Sequence, residues 1–373
     1  MALSPNYSWA EPDNSSLVKN GAADIRALGD AIDTSVWNVG YGQAGKNKII
    51  NGDFGVNQRN FTSTTTSAEY NFDRWRTIYT GGTSTTTAQT FTLGTAPVAG
   101  YEGKNYYRVA ITGQSAATDF VRIQQVVESV RTFAGQTTTY SFWAKADAGT
   151  PKVAVFGVQS FGQNGSPSAA VLTDFGTITL STTWTRYSIT CAIPSIAGKT
   201  LGTLGDDGIS IRLMLSGGAS VSNSQSIGIQ NYTFETWGHQ WEAGSVATAF
   251  QTATATLQGE LAACQRYYYR NTANLVYSRF TNAQGADGTT TVNVAVPVPV
   301  SMRVNPTSVD YSTLSFINGG TTIPVTSMTV STNQSSAYTP VVSGVGTGLS
   351  DNVPYSIGAN NSTSAYLGLS AEL

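Results

Sequence analysis

The sequence predicts an all-β protein: a large jelly-roll β-sandwich, then a smaller C-terminal β-sandwich, both behind a short N-terminal helical segment. Three observations carry this. Charged residues make up only 11% of the 373 residues, against about 25% in ordinary soluble proteins. Strand-favouring Thr and aromatics, 18 Tyr among them, are abundant. From residue 47 onward, short runs that alternate between apolar and polar residues are separated by Gly, Ser, Asn and Pro.

The first 46 residues stand apart as an anchoring or oligomerisation segment. "SSLVKNGAADIRALGDAIDTSVW" is predicted as a helix, with Ser15 or Ser16 placed to cap it. Val18, Ile25 and Ile32 recur every seven residues, and Leu28 falls at an offset position with Gly21 and Ser35. So short a stripe needs a neighbour to cover it, and the expectation is self-association as a trimer or docking into a larger assembly. "NVGYGQAGKNK" is expected as a Gly-rich connector. The extreme N-terminus has no basic start and no apolar core, so it is not expected to be a signal peptide. No run of about eighteen apolar residues spans a membrane.

Residues 47–255 contain the strand-like runs of the large sandwich, from "KIINGDFGVNQR" to "IQNYTFETWGHQWEAG". Within "TTTYSFWAKA", Tyr140, Phe142 and Ala144 share one face, while Ser141, Trp143 and Lys145 share the other. Trp75, Trp143, Trp184, Trp237 and Trp241 are expected core aromatics. "TATATLQGELAACQRYYYR" then reads as a joint. Thr256 caps a short helix whose Leu257, Leu261 and Cys264 stripe faces a core, and Tyr267, Tyr268 and Tyr269 open the next strand. Residues 256–373 form the C-terminal sandwich, in which no Lys or Arg follows Arg303.

Taken in order, "NKIINGDFGVNQR", "YNFDRWR", "YSFWAKA", "TWTRYSI", "WGHQWEAGSVATAFQ", "ELAACQRYYYR" and "VPVPVSMRVNPT" resemble a recurrent module of tailed-bacteriophage fibre, tail and head-decoration proteins. In that family a jelly roll similar to carbohydrate-binding modules precedes a small β-rich tip. The helical segment also resembles N-terminal regions of phage fibre and minor tail proteins. The resemblance implies a virion protein assembled in the host cytoplasm, with other virion proteins bound through its N-terminus. It implies "NGDF" and "WEAGSVATAF" as the first and last strands of the jelly roll. Trp241 departs from the pattern, which there often carries a smaller apolar residue.

Several chemistries have no residues to perform them. A single histidine, His239, rules out a His-based triad or a multi-His zinc site, and it is expected to be structural. Cys191 and Cys264 are read as buried thiols. A net charge of -2 gives no field for nucleic acid or an anionic membrane. "GYGQAG" is followed by Lys46 and then by Asn47 where a phosphate loop carries Ser or Thr, and "INGGTT" lacks the lysine. Asp206 and Asp207 read as a turn, with calcium as the alternative. No cofactor, catalytic residue or metal ligand is assigned. The expected function is a non-enzymatic fibre or decoration protein contacting host-surface glycan. A glycan-degrading tail enzyme and a secreted carbohydrate-binding module are the alternatives. The candidate glycan contacts lie in two loops, with Tyr338 and Tyr355 for stacking and Asn333, Gln334 and Asn352 for hydrogen bonds.

Overall fold

The computed structural model describes residues 2–3, 9–11, 20–41, 44–95, 97–98 and 101–373. Strands β1 (Ala2–Leu3) and β2 (Ala10–Glu11) pair antiparallel ahead of helix α1 (Gly21–Tyr41). Val18 and the two serines expected to cap the helix lie outside the described residues. Ile25 is 66% exposed and Ile32 37% exposed, so among the described residues the apolar stripe is left open. The helix continues through 38–41, where the sequence suggested a flexible connector. Once nucleated, a helix gains a hydrogen bond for each added residue, and a lone glycine does not stop it.

The first sandwich contains β3 (Ser63–Thr64), β4 (Arg76–Thr80), β5 (Thr83–Thr90), β6 (Asn105–Thr112), β7 (Phe120–Glu128), β8 (Thr137–Ala146), β9 (Lys152–Ser160), β10 (Val171–Thr179), β11 (Thr185–Ala192), β12 (Gly208–Gly217) and β13 (Thr233–Ala243). A five-stranded sheet in the order β10-β9-β12-β7-β4 lies against a six-stranded sheet in the order β11-β8-β13-β6-β5-β3. Every pairing is antiparallel. Val121, Ile123, Val153, Val155, Ile209, Ile211 and Leu213 of the first sheet meet Tyr107, Val109, Tyr140, Phe142 and Phe234 of the second. Strand alternation brings these side chains to one interior, where each large side chain contributes about 1.5–3 kcal/mol.

Four of the five expected core tryptophans are buried, and Trp184 is half-buried. Trp241 fits without strain: its Nε1 donates to Thr138 Oγ1 at 3.0 Å and its ring packs 4.9 Å from Phe133. His239 is fully buried within β13. Its Nδ1 lies 2.5 Å from the Tyr140 hydroxyl and its Nε2 lies 2.9 Å from Thr236 Oγ1. Its ring stacks on Phe142 with centroids 5.5 Å apart. Burial pushes its pKa down to about 3, so it is a neutral packing residue.

Asn51–Phe54 is a turn rather than the expected first strand. Asn51 and Phe54 both have positive φ, which a strand excludes. The segment nonetheless presses on β13, where His239 N donates to Gly52 O at 2.9 Å. A Cβ on Gly52 would lie 2.2 Å from His239 O, so this close approach requires glycine. The last strand likewise stops at Ala243, before "GSVATAF". Both cysteines are free, but only Cys264 is buried; Cys191 sits half-exposed on β11, the outer strand of its sheet. Asp206 and Asp207 accept from Gln163 N and Val130 N, at 2.9 and 2.8 Å, and tie neighbouring loops together.

Helix α2 (Leu257–Gln265) forms the joint. Thr256 caps it as expected, its Oγ1 accepting from Gly259 N at 3.0 Å. Replacing Thr256 with alanine should cost about 1 kcal/mol in a denaturant titration. The buried face differs from the expected one. Leu257 is exposed, Leu261 is only partly covered, and Glu260 and Cys264 point inward. Glu260 displaces the leucines because it braces the entry loop, accepting from Asn51 N, Thr254 N and Thr254 Oγ1 at 2.8, 2.7 and 3.0 Å.

The second sandwich contains β14 (Tyr268–Thr272), β15 (Gln284–Gly285), β16 (Thr291–Ala295), β17 (Ser308–Ser312), β18 (Leu314–Asn318), β19 (Thr321–Pro324), β20 (Ser327–Val330), β21 (Val341–Val345), β22 (Pro354–Ala359) and β23 (Tyr366–Ser370). Three short sheets, β14-β23-β17, β15-β22-β18-β19 and β16-β21-β20, enclose a second apolar core around Val292, Phe316, Val342, Ile357 and Leu367. "SVDYSTLSFI" is split between two sheets at Thr313, which has positive φ. "INGGTT" is the hairpin between β18 and β19. Among the described residues no helix is long and apolar enough to cross a membrane.

Candidate functional site

The two sandwiches meet at the tyrosine run. Arg74 is 1% exposed, ion-pairs with Glu372, and places its guanidinium 3.4 Å over the Tyr267 ring. Arg266 grips Glu128 with two hydrogen bonds of 2.9 and 2.7 Å, and the Tyr267 hydroxyl donates to the same carboxylate at 2.9 Å. Arg303, the last basic residue, donates to Ala371 O and Gly205 O at 3.0 and 3.1 Å. The chain's final residues thus return to the first sandwich, where Tyr70 donates its hydroxyl to Leu373 O.

Above this joint lies a groove of about 410 Å³. Its floor is one face of β14-β23-β17, because strand alternation sends Leu367 and Leu369 to the core and leaves Tyr366 and Ser370 on the other side. Gly368 sits between these two. The Tyr268 hydroxyl crosses it to donate to Asp310 Oδ2 at 2.8 Å. A Cβ on Gly368 would lie 2.2 Å from Asp310 Oδ1 and 2.6 Å from that hydroxyl, so this crossing requires the glycine. Arg270 lies 3.5 Å over the Tyr366 ring, and Arg59 lies 3.6 Å over Tyr268. Phe61, Glu69 and Tyr70 of the first sandwich supply the wall. Burial raises the Tyr268 hydroxyl pKa above its ordinary value, with Asp310 adding to the effect, so it remains a hydrogen-bond donor.

The two loops expected to contact glycan do not form a pair of aromatic platforms. Tyr338 is 78% exposed, and Asn333, Gln334 and Asn352 are exposed. Tyr355 is a core residue, 4% exposed, packed 6.4 Å from Phe316 with its hydroxyl accepting from Ser350 N at 3.2 Å. Its place in β22, in register with Gln284 of β15, turns the ring inward, so no sugar reaches it. The groove residues Arg59, Tyr70 and Tyr366 were not identified from the sequence. The available signal was the polar face of "YLGLS", where Tyr, Gly and Ser alternate with two leucines.

A second cleft, of about 320 Å³, is lined by Asp53, Tyr101 and Glu260. The Tyr101 hydroxyl donates to Asp53 at 2.8 Å. Burial raises the Glu260 pKa despite the three donors already described. Among the described residues no group of three His, Cys, Asp or Glu is arranged to hold a metal ion.

No family model matches the sequence, and no curated protein does. Among solved structures, the enzymatically active domain of bacteriophage CBA120 tailspike protein 4 is similar over 53% of this chain, with 13% identity and a TM-score of 0.32. This chain spans 22% of the length of that domain. A family 11 carbohydrate-binding module from Clostridium thermocellum, in complex with a β-1,3-1,4-mixed-linked tetrasaccharide, is similar over 50% of this chain and 99% of its own (14% identity, TM-score 0.29). The CBM22-1 xylan-binding domain of Paenibacillus barcinonensis Xyn10C is similar over 55% of this chain and 99% of its own (12% identity, TM-score 0.29).

Proposed function

We propose that the protein is a non-enzymatic bacteriophage fibre or decoration protein that holds a neutral host-surface glycan in the groove at the joint. The groove carries this reading. It sets tyrosine rings beside guanidinium, hydroxyl and carboxylate groups, a combination that stacks on the apolar face of a sugar and bonds its hydroxyls. The sequence resemblance supports the virion assignment. The open stripe of Ile25, Leu28 and Ile32 on α1 supports association with two further copies of the chain, with the N-terminal segment docked on the particle. Light scattering should return three times the 39.3 kDa chain mass, and a monomer at micromolar concentration contradicts the trimer.

Degradation is the weaker reading. Glu260 is saturated by its own chain, Asp310 accepts from Tyr268, and Glu69 accepts from Thr64 at 2.8 Å. Each of these three carboxylates thus already serves a hydrogen bond within the fold. Purified protein incubated with host-surface polysaccharide should bind it and release no reducing ends. Tyr366→Ala should weaken binding about tenfold, equivalent to about 1.4 kcal/mol. Release of reducing ends that a single Asp or Glu substitution abolishes would contradict the non-enzymatic assignment.

A further inference from the structure

The outer face of the five-stranded sheet carries three arginines side by side. Arg76 of β4 pairs in register with Gln124 of β7, and Gln124 pairs with Arg212 of β12. Arg122 lies two residues along β7, between Ile78 and Met214, and so points to the same face. The opposite face is the core, occupied by Ile123, Ile211 and Leu213. Adjacent strands are about 4.8 Å apart, so Arg122 emerges about 7–8 Å diagonally from each of the other two, while Arg76 and Arg212, two strands apart, emerge about 10 Å from one another.

Among the described residues no carboxylate pairs with any of the three. Their contacts are neutral, and the Gln124 side-chain oxygen accepts from Arg76 Nη2 and Nε at 3.0 and 3.2 Å. Arg212 Nε donates to Ser210 Oγ at 3.0 Å, Arg76 lies 4.9 Å over the Tyr70 ring, and Arg122 lies 5.1 Å over the Phe120 ring. The row ends on Asp174 of β10, two strands beyond Arg212, and that carboxylate accepts from Asn223 Nδ2 at 3.0 Å. The cost of this convergence shows in the arginines themselves. Burial, then Arg122 and Arg76, push the Arg212 pKa down to about 10; burial, then Arg76, lower that of Arg122. Like charges held together, half-buried and without a counter-ion, are relieved by a bound anion.

We propose that Arg76, Arg122 and Arg212 form a binding site for the carboxylates of an acidic saccharide. Planar guanidinium groups match carboxylates with paired hydrogen bonds. A nucleic acid is disfavoured because the face offers only three charges in a chain of net charge -2, too few for a run of phosphates. The site goes beyond the neutral-glycan groove and depends on different residues, so either assignment can fail without the other.

The test is calorimetry and thermal denaturation of the full chain with trigalacturonate, at fixed ionic strength. Maltotriose, sodium sulfate and a twelve-nucleotide single-stranded DNA are run in parallel. Trigalacturonate should bind and raise Tm, its affinity falling with salt, while sulfate and DNA bind at least tenfold more weakly and maltotriose gives no arginine-dependent signal. The double variant Arg122→Gln/Arg212→Gln removes two like charges and should fold with a Tm at or above that of the parent. It should lose the trigalacturonate response while keeping any groove binding that Tyr366→Ala removes. Absence of trigalacturonate binding, its persistence in the double variant, or equal binding of sulfate or DNA overturns the assignment.

Discussion

Arg74→Ala should lower stability by about 3–5 kcal/mol, the largest loss expected from any single substitution at the joint. The side chain is 1% exposed, and it pairs with Glu372, lies over Tyr267 and donates to Val126 O. Removing it leaves the buried Glu372 carboxylate with only its longer contact to Arg59, at 3.3 Å, in the seam between the two sandwiches. Glu372→Ala should be nearly as damaging, because it strands the guanidinium. The double change Arg74→Met/Glu372→Leu should recover much of the loss, because neither charge is then left unpaired. Guanidinium chloride titrations of the four proteins measure these differences. A double variant as unstable as the sum of the two single variants would show that the pair acts through packing alone.

His239 should make the protein acid-sensitive. Its folded pKa of about 3 lies below the ordinary 6.5, because burial disfavours the charged ring. The unfolded chain therefore binds a proton that the folded chain refuses. The neutral ring's contribution is fully present above pH 6.5 and is lost as pH falls toward 3. By pH 4.5 the loss from this one group is about 3 kcal/mol, at about 1.4 kcal/mol per pH unit. Asp73 and Glu260 act in the opposite direction. Burial raises both their pKa values, so their protonation favours the fold as pH falls. The difference between wild type and His239→Gln isolates the histidine. The variant should be less stable at pH 7.5 and should lose less stability on acidification. Parallel pH profiles would contradict the assignment.

How much was legible in the sequence depends on whether the signal was local. "NYYRVAIT" and "TTTYSFWAKA" coincide with β6 and β8 because period-two alternation over eight or ten residues has one structural meaning. The Thr256 cap was legible for the same reason. The "NGDF" turn was not, because its positive φ values are imposed by packing against β13. The leucine stripe on α2 failed because helical spacing does not reveal that a buried glutamate has three backbone and hydroxyl donors waiting for it. Tyr355 was misread as a loop aromatic because inward and outward positions on a short strand depend on register, which a sequence alone does not fix. The groove draws on residues about 300 positions apart, Arg59 and Tyr366, and the arginine face exists only once β4, β7 and β12 are neighbours. The tyrosine run was correctly read as a joint, and the same run supplies Tyr268 and Arg270 to the groove.

The most direct measurement is a crystal structure of the protein soaked with the neutral oligosaccharide that binds it most tightly in a glycan-array screen. The expected result is a sugar ring in the groove against Tyr366 or Tyr70, with hydroxyls bonded to Arg59, Arg270 or Asp310. An empty groove at saturating ligand, or a sugar seated instead beside Tyr338 or in the cleft of Asp53 and Glu260, would contradict the account.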